Sequence, residues 1–207
     1  MNVQIVPMRA EHISGAVALQ RACFPEPFPE DLLWNHDHLL RHLEVFPEGQ
    51  FVALSDSDVV VGSASATRIS ESNWQAHRSW DKTVGGPFLE TFDAKGSTLY
   101  GMDICVHPTA RGLGIGRRMY EARFQLVRDF GVARYGTACR LPGFEAYAQE
   151  EPGTSSEKYA ELVVEGRTTD RTLTPLLRYG LTYLGVIQGY MVDIESGNAA
   201  AQLEWRP

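Results

Sequence analysis

The stretch VHPTARGLGIGRRM (106–119) sets three glycines and three arginines into a chain whose formal net charge is −7. Before it runs STLYGMDICV (97–106), apolar apart from Asp103, which reads as a strand buried on both faces and central in its sheet. Its alternation would place Tyr100, Met102, Ile104 and Val106 on one face and Leu99, Gly101, Asp103 and Cys105 on the other. After it, apolar residues recur at Ile115, Met119, Ala122, Leu126 and Phe130, which predicts a helix over 114–130 with one buried stripe. A strand, a glycine turn and a helix in this order aim backbone N–H groups and a helix N-terminus at one point. That point favours an anion, phosphate above all. Arg111, Arg117 and Arg118 add fixed charge suited to phosphate oxygens, and the glycines allow close approach to the backbone.

The elements on either side follow from periodicity and punctuation. VQIVPM (3–8) reads as a first strand, AEHISGAVALQRAC (10–23) as a helix closed by the proline-rich FPEPFPE, and 34–44 as a second helix. Strands GQFVALS and DVVVGSASATRI meet at Asp56, Ser57 and Asp58, a hairpin turn. Residues 71–96 form a long excursion with one short helix. Beyond the central helix come a strand at 132–140, helices at 143–150 and 155–166, and a short helix stopped by Gly180. A closing strand pair, LTYLGVIQGYM and AAAQLEWRP, ends the chain. The fold class expected is α/β: one mixed sheet flanked by helices, in a single domain over 1–207.

Which phosphate ligand fits the turn is a question of register. A dinucleotide fingerprint G-x-G-x-x-G fails from Gly112, whose sixth position is Arg117, and from Gly114, whose sixth is Met119. No G-K-[ST] follows Gly116, so a P-loop fails as well. Val106-His107-Pro108-Thr109-Ala110-Arg111-Gly112-Leu113-Gly114-Ile115-Gly116 resembles the acetyl-CoA-binding motif of the GNAT superfamily of N-acetyltransferases, R/Q-x-x-G-x-G/A after V-x-P. The element order agrees over nearly the whole chain. The resemblance implies a GNAT fold with a splayed strand pair, and acetyl-CoA as co-substrate. It implies that the CoA pyrophosphate sits on the N–H groups of Arg111, Gly112, Leu113, Gly114, Ile115 and Gly116 with Arg117 beside them. The pantetheine would pair with the backbone of Ile104, Cys105 and Val106. The C-terminal third, CRLPGFEAYA, VVEGR, LTPLLRYGL and LEW, resembles GNAT domains often fused to a carbon–nitrogen hydrolase. No amidase activity is carried over from them.

Direct transfer needs a neutral amine, a polarised thioester and a proton for the departing thiolate. Asp103 is the only charge on the strand 97–106, and GNAT enzymes commonly place an acid there, so it is the candidate base; the competing reading is a structural carboxylate paired with an arginine or capping a loop. The resemblance implies a general-acid tyrosine four residues before the glycine of a Y-x-x-x-G-F pattern. Here Gly180-Leu181 ends the pattern and Leu176 stands at the tyrosine position. Tyr179 is then the acid candidate and Tyr147 a weaker one. Cys105 as a nucleophile is disfavoured, because a buried strand thiol is usually inert. The acceptor pocket is expected from the 24–28 turn with Phe24 and Phe28, from Trp74 and Trp80, and from the RLPGF loop around Arg140 and Glu145.

Composition narrows the alternatives. Net charge −7 and a pI near 5.4 argue against a duplex nucleic-acid binder, which carries a basic patch. No apolar run is long enough to span a membrane and the N-terminus lacks a signal-peptide pattern, so a cytoplasmic protein is expected. Cys23, Cys105 and Cys139 are odd in number, lack a CxxC pair and read as reduced thiols. His38 and His42 sit one helical turn apart without an HExxH glutamate, so they read as a solvated helix face and no metal is expected. The expected partner is a small-molecule amine, and a homodimer comes with the resemblance. The rival reading is a non-catalytic acyl-CoA-binding or regulatory module.

Overall fold

The chain, described from a computed structural model over residues 2–25 and 28–207, opens with strand β1 (Val3–Pro7), helix α1 (Ile13–Cys23) and helix α2 (His36–Val45). Strands β2 (Gln50–Ser55) and β3 (Val60–Ile69) follow as a hairpin. The excursion at 71–96 holds two short helices where one was expected, α3 (Glu71–Gln75) and α4 (Trp80–Val84). Then come β4 (Thr98–Val106), α5 (Ile115–Phe130), β5 (Arg134–Arg140), α6 (Phe144–Glu150), α7 (Ser156–Val164) and α8 (Leu173–Arg178). The chain closes with β6 (Thr182–Ile187) and β7 (Ala200–Trp205). Side-chain oxygens of Asn35, Ser70 and Ser155 cap α2, α3 and α7, satisfying N–H groups that the first turn leaves open.

The seven strands run in the order β1-β2-β3-β4-β5-β7-β6, antiparallel throughout except for the β4–β5 pair. The expected central place of β4 holds. Helix α5 lies under the sheet with α7 and α8, closing a core with Leu99, Tyr120, Tyr135, Leu173 and Leu203. On the opposite face α1 and α2 bury Ile13, Ala16, Trp34, Leu39 and Val52, while α3 and α4 cover Ile69, Trp74 and Tyr100.

Two features of β4 position the site. The first is a bulge: Gly101 pairs with Ala66 and Asp103 with Ser65, so Met102 has no partner on β3. The extra residue resets the alternation, and this overturns the expected faces. Leu99 and Ile104 both pack on the α5 side, while Tyr100 and Met102 pack on the α3–α4 side and Asp103 and Cys105 face α1. The second is a splay. β4 pairs with β5 only from Thr98 to Gly101, opposite Arg134 to Thr137, whereas β5 continues on β7 as far as Arg140. The backbone of β4 from Met102 onward therefore lacks a strand on that edge. Tyr135 sits at the apex of the gap, its hydroxyl occupying the space where a side chain at Gly101 would begin: a Cβ there would lie 1.8 Å from Tyr135 Oη.

The buried stripe of α5 is turned from the expected one. Ile115, Met119, Tyr120, Arg123, Phe124 and Val127 are buried, while Phe130 is exposed. Arg123 is the reason: it is 1% exposed, and no apolar periodicity registers a cation. His42 also departs from expectation. Instead of lying on a solvated face it is fully buried, edge-on to Trp34 at 4.9 Å, with Nε2 2.8 Å from the Pro87 carbonyl oxygen.

Both departures generate predictions. Burial lowers the His42 pKa from 6.5 to about 4. As pH falls through that window the unfolded chain binds a proton that the native state refuses, so about 3 kcal/mol of stability is lost. His42→Gln keeps an amide donor for Pro87 and removes the titration. Urea unfolding at pH 7 and pH 4.5 is expected to show a smaller loss in that variant than in the parent chain. Gly101→Ala drives a methyl group into Tyr135 and is expected to cost about 1–3 kcal/mol; an unchanged unfolding midpoint would mean that the wedge is not there.

Candidate functional site

The turn after β4 is built as the sequence suggests. His107 accepts from the Thr109 N–H, Pro108–Ala110 make one 3-10 turn, and Gly112 and Gly114 take φ values of +81° and +74°. These left-handed conformations suit glycine. The backbone N–H groups from Gly112 to Arg117 have no acceptor among the described residues. A Cβ at Gly112 or Gly114 would meet nothing within 4 Å, so the face they present is open. The result is a concave run of donors at the N-terminus of a helix of 16 residues, next to the edge of β4 that β5 leaves unpaired.

The three arginines of the turn divide. Arg111 donates from Nε to the Val106 carbonyl at 3.3 Å and is exposed. Arg117 pairs with Glu121 one turn along the helix at 3.0 Å. Arg118, expected to offer charge to phosphate, instead donates to the Val3 carbonyl at 2.7 Å and ties α5 to β1. The local positive charge at the turn is thus carried by Arg111 and Arg117.

On the α1 side of β4 stands Asp103. Burial raises its pKa above the ordinary carboxylate range, opposed by a hydrogen bond from Gln20 and by the charge of Arg123. The Gln20 side-chain oxygen accepts from the Trp34 backbone N–H, which orients its amide nitrogen towards Asp103. The Trp34 indole N–H faces the same carboxyl without meeting ordinary hydrogen-bond geometry. The competing reading, a carboxylate in an arginine salt bridge, is not what this geometry holds: Arg123 contacts Asp103 at its backbone carbonyl.

Tyr179 ends α8, with its ring 5.6 Å from that of Tyr120 and its hydroxyl 3.8 Å from where a Cβ of Gly116 would be. It therefore belongs to the α5 side of the sheet, and no residue described accepts from its hydroxyl. Leu176 is 3% exposed and fills the main core, while Tyr147 packs on Tyr159 at 5.3 Å. Of the expected acceptor residues, Arg140 is brought over the rings of Phe24 and Phe28 at 6.0 and 5.5 Å. Arg140 is held there by Asp193 at 2.6 Å and Glu195 at 2.8 Å. Trp80 joins Trp34 at 5.6 Å. Trp74 is core, packed against Tyr100 and beneath Gly136, and Glu145 turns to Gln149. Gln20, Trp34, Arg123 and Tyr135 were not singled out from sequence; the only trace was an arginine within the apolar face of α5.

Comparison with known proteins identifies the family and the fold. Residues 14–148 match the acetyltransferase (GNAT) family model. The chain is 34% identical over 194 residues to the uncharacterized N-acetyltransferase YkwB of Bacillus subtilis, covering 94% of this chain and 84% of that protein. It is 31% identical to the probable hydrolase YhcX of the same organism, spanning 93% of this chain but only 36% of that longer protein. Among solved structures, the GphF GNAT-like decarboxylase in complex with isobutyryl-CoA superposes with a TM-score of 0.80 at 23% identity, over 100% of this chain and 99% of that one. The fold and its open edge beside the glycine turn define an acyl-CoA-dependent acyltransferase, with acetyl-CoA as co-substrate. The chain belongs to the acetyltransferase (GNAT) family. No helix among the described residues is long and apolar enough to cross a membrane.

Gly114→Ala tests the turn. With open space around it, the substitution costs only the left-handed conformation, about 1 kcal/mol. Thermal unfolding should shift by a few degrees, while calorimetry should show acetyl-CoA binding at least about tenfold weaker.

Proposed function

We propose that the chain transfers an acetyl group from acetyl-CoA directly to the neutral amine of a small acceptor within a ternary complex. The observation that carries this reading is the juxtaposition of the open β4 edge with the unpaired N–H run of 112–117. One binds an extended amide chain as a strand would, and the other binds its phosphates. In this reading the backbone of Ile104, Cys105 and Val106 pairs with pantetheine. The N–H groups of Gly112, Leu113, Gly114, Ile115 and Gly116 receive the pyrophosphate, with Arg111, whose own N–H is held by the Pro108 carbonyl, and Arg117 adding charge.

Asp103 is assigned as the base. An amine is protonated at neutral pH and must lose that proton before it attacks the thioester carbon, so an acceptor group of raised pKa beside the groove matches the task. Attack forms the new C–N bond, the C–S bond breaks, and the thiolate needs a proton. Tyr179 is assigned that donation, since its hydroxyl bonds to no described residue. The Phe24, Phe28 and Arg140 cluster then lines the acceptor's approach.

Calorimetric titration with acetyl-CoA and thiol release across a panel of amines test the reading in sequence. Asp103→Asn is expected to lower kcat by about 10²-fold or more with acetyl-CoA affinity unchanged. Because burial raises the Asp103 pKa, parental turnover should fall with decreasing pH above the ordinary carboxylate range. Tyr179→Phe should lower kcat by about tenfold or more, again without loss of affinity. Binding without turnover on any amine would favour the acyl-CoA-binding module, a reading that the leucine at position 176 supports. Turnover unchanged in Asp103→Asn would remove Asp103 as the base.

A further inference from the structure

Two thiols stand at the edge of the groove, and acyl transfer uses neither. Cys23 is the last residue of α1, half-buried, and its Sγ donates to the Val106 carbonyl at 3.3 Å. Cys105 is buried on β4 with its Sγ 3.6 and 3.7 Å from the Asp103 carboxylate oxygens. Cys23 Sγ thus rests on the carbonyl of the residue that follows Cys105, and each thiol perturbs the titration of the other. The β4 bulge brings this about: it turns Cys105 to the face that carries α1. Cys139 packs in the core on the α5 side and takes no part.

The pair is unequal in the way a reactive dithiol requires. The neighbouring Cys105 thiol and then the Arg111 guanidinium favour the Cys23 thiolate, so its pKa lies below the ordinary thiol value despite burial. Cys105, enclosed and beside Asp103, is held as the neutral thiol. One accessible nucleophilic sulfur thus has a second thiol beside it, on the strand that its own hydrogen bond reaches.

We propose that Cys23 and Cys105 are a peroxide-sensitive dithiol that closes to a disulfide at the edge of the acyl-CoA groove. The Cys23 thiolate attacks one oxygen of hydrogen peroxide; the O–O bond breaks, Cys23 becomes a sulfenic acid, and the second oxygen leaves as water after taking a proton. Cys105 sulfur then attacks the Cys23 sulfur, the S–O bond breaks, and hydroxide leaves with the Cys105 proton as a second water. Two thiols are oxidised and one peroxide is reduced. Closure withdraws the Cys23 hydrogen from the Val106 carbonyl and the Cys105 hydrogen from Asp103. It also ties the end of α1, next to Phe24, to the strand assigned to pantetheine. This regulatory effect rests on the acetyl-CoA reading, whereas the disulfide itself does not.

The test is peptide mapping of the reduced full-length chain after treatment with hydrogen peroxide, without added reductant. The expected product is a Cys23–Cys105 cross-linked peptide, lighter by two hydrogens, reversed by dithiothreitol and absent in Cys23→Ser, with Cys139 unmodified. Calorimetry of the oxidised chain should show acetyl-CoA affinity weakened by about tenfold and restored on reduction, with no such change in peroxide-treated Cys23→Ser. Failure to form the cross-link while Cys23 proceeds to sulfinic acid overturns the proposal. A complete cross-link that leaves affinity and turnover unchanged overturns its regulatory part. If the reduced chain binds no acetyl-CoA, the transfer reading fails by itself and the mapping still decides the dithiol.

Discussion

A single buried cation organises the centre of this protein. Arg123 reaches from α5 into the sheet and donates to the carbonyls of Ser65 and Asp103 and to the hydroxyl of Tyr135. No carboxylate side chain forms a salt bridge with it among the described residues; its charge is met by neutral oxygens and by the faces of Tyr120 and Tyr135, 5.4 and 5.8 Å from the guanidinium carbon. Burying a cation is costly unless its donors are satisfied; Nη1 and Nη2 meet these acceptors while Nε stands without a partner, so the acceptors that remain are bound to their places as firmly as the arginine is bound to them. Ser65 and Asp103 flank the bulge. Tyr135 marks the point where β4 and β5 part. One side chain therefore holds together the two irregularities that distinguish β4 from an ordinary central strand.

The chemistry follows from those irregularities. The splay leaves a strand edge unpaired inside the molecule, a liability in most sheets and here the edge proposed to receive pantetheine. The bulge sends consecutive residues to the same face, so Asp103 and Cys105 meet Gln20, Trp34 and Cys23 on α1 and the segment after it, while Ile104 packs towards α5. Asp103 and Cys105 thereby fall on the α1 side of β4, whereas Ile104 falls on the α5 side. Arg140, clamped by Asp193 and Glu195 beneath Phe24 and Phe28, adds a rigid wall at the far end of β5.

The glycine turn, the strand before it, the helix after it and the order of the remaining elements were legible in the sequence. Each rests on local rules of period, capping and positive φ. The cofactor class was legible for the same reason, since the motif that resembles a CoA site is a contiguous run of residues. The direction of Arg118, the burial of His42 and the true stripe of α5 were not, because a side chain's partner across the sheet leaves no mark at its own position. A one-residue bulge is similarly silent: Met102 looks like any other strand residue, yet it reverses which side of β4 Asp103 and Cys105 face.

Sequence by itself determined a mixed α/β chain with a glycine turn at 111–116 and an isolated acid at position 103, because backbone conformation and hydrophobic period are encoded within a few residues. Only the tertiary structure decided what surrounds that acid, where the strand edge opens, and that the Cys23 thiol at the end of α1 bonds the Val106 carbonyl of β4. Those outcomes depend on contacts between α1, β3, β4, β5 and α5. They arise from satisfying one buried guanidinium and one strand bulge together, a constraint that no short window of sequence contains.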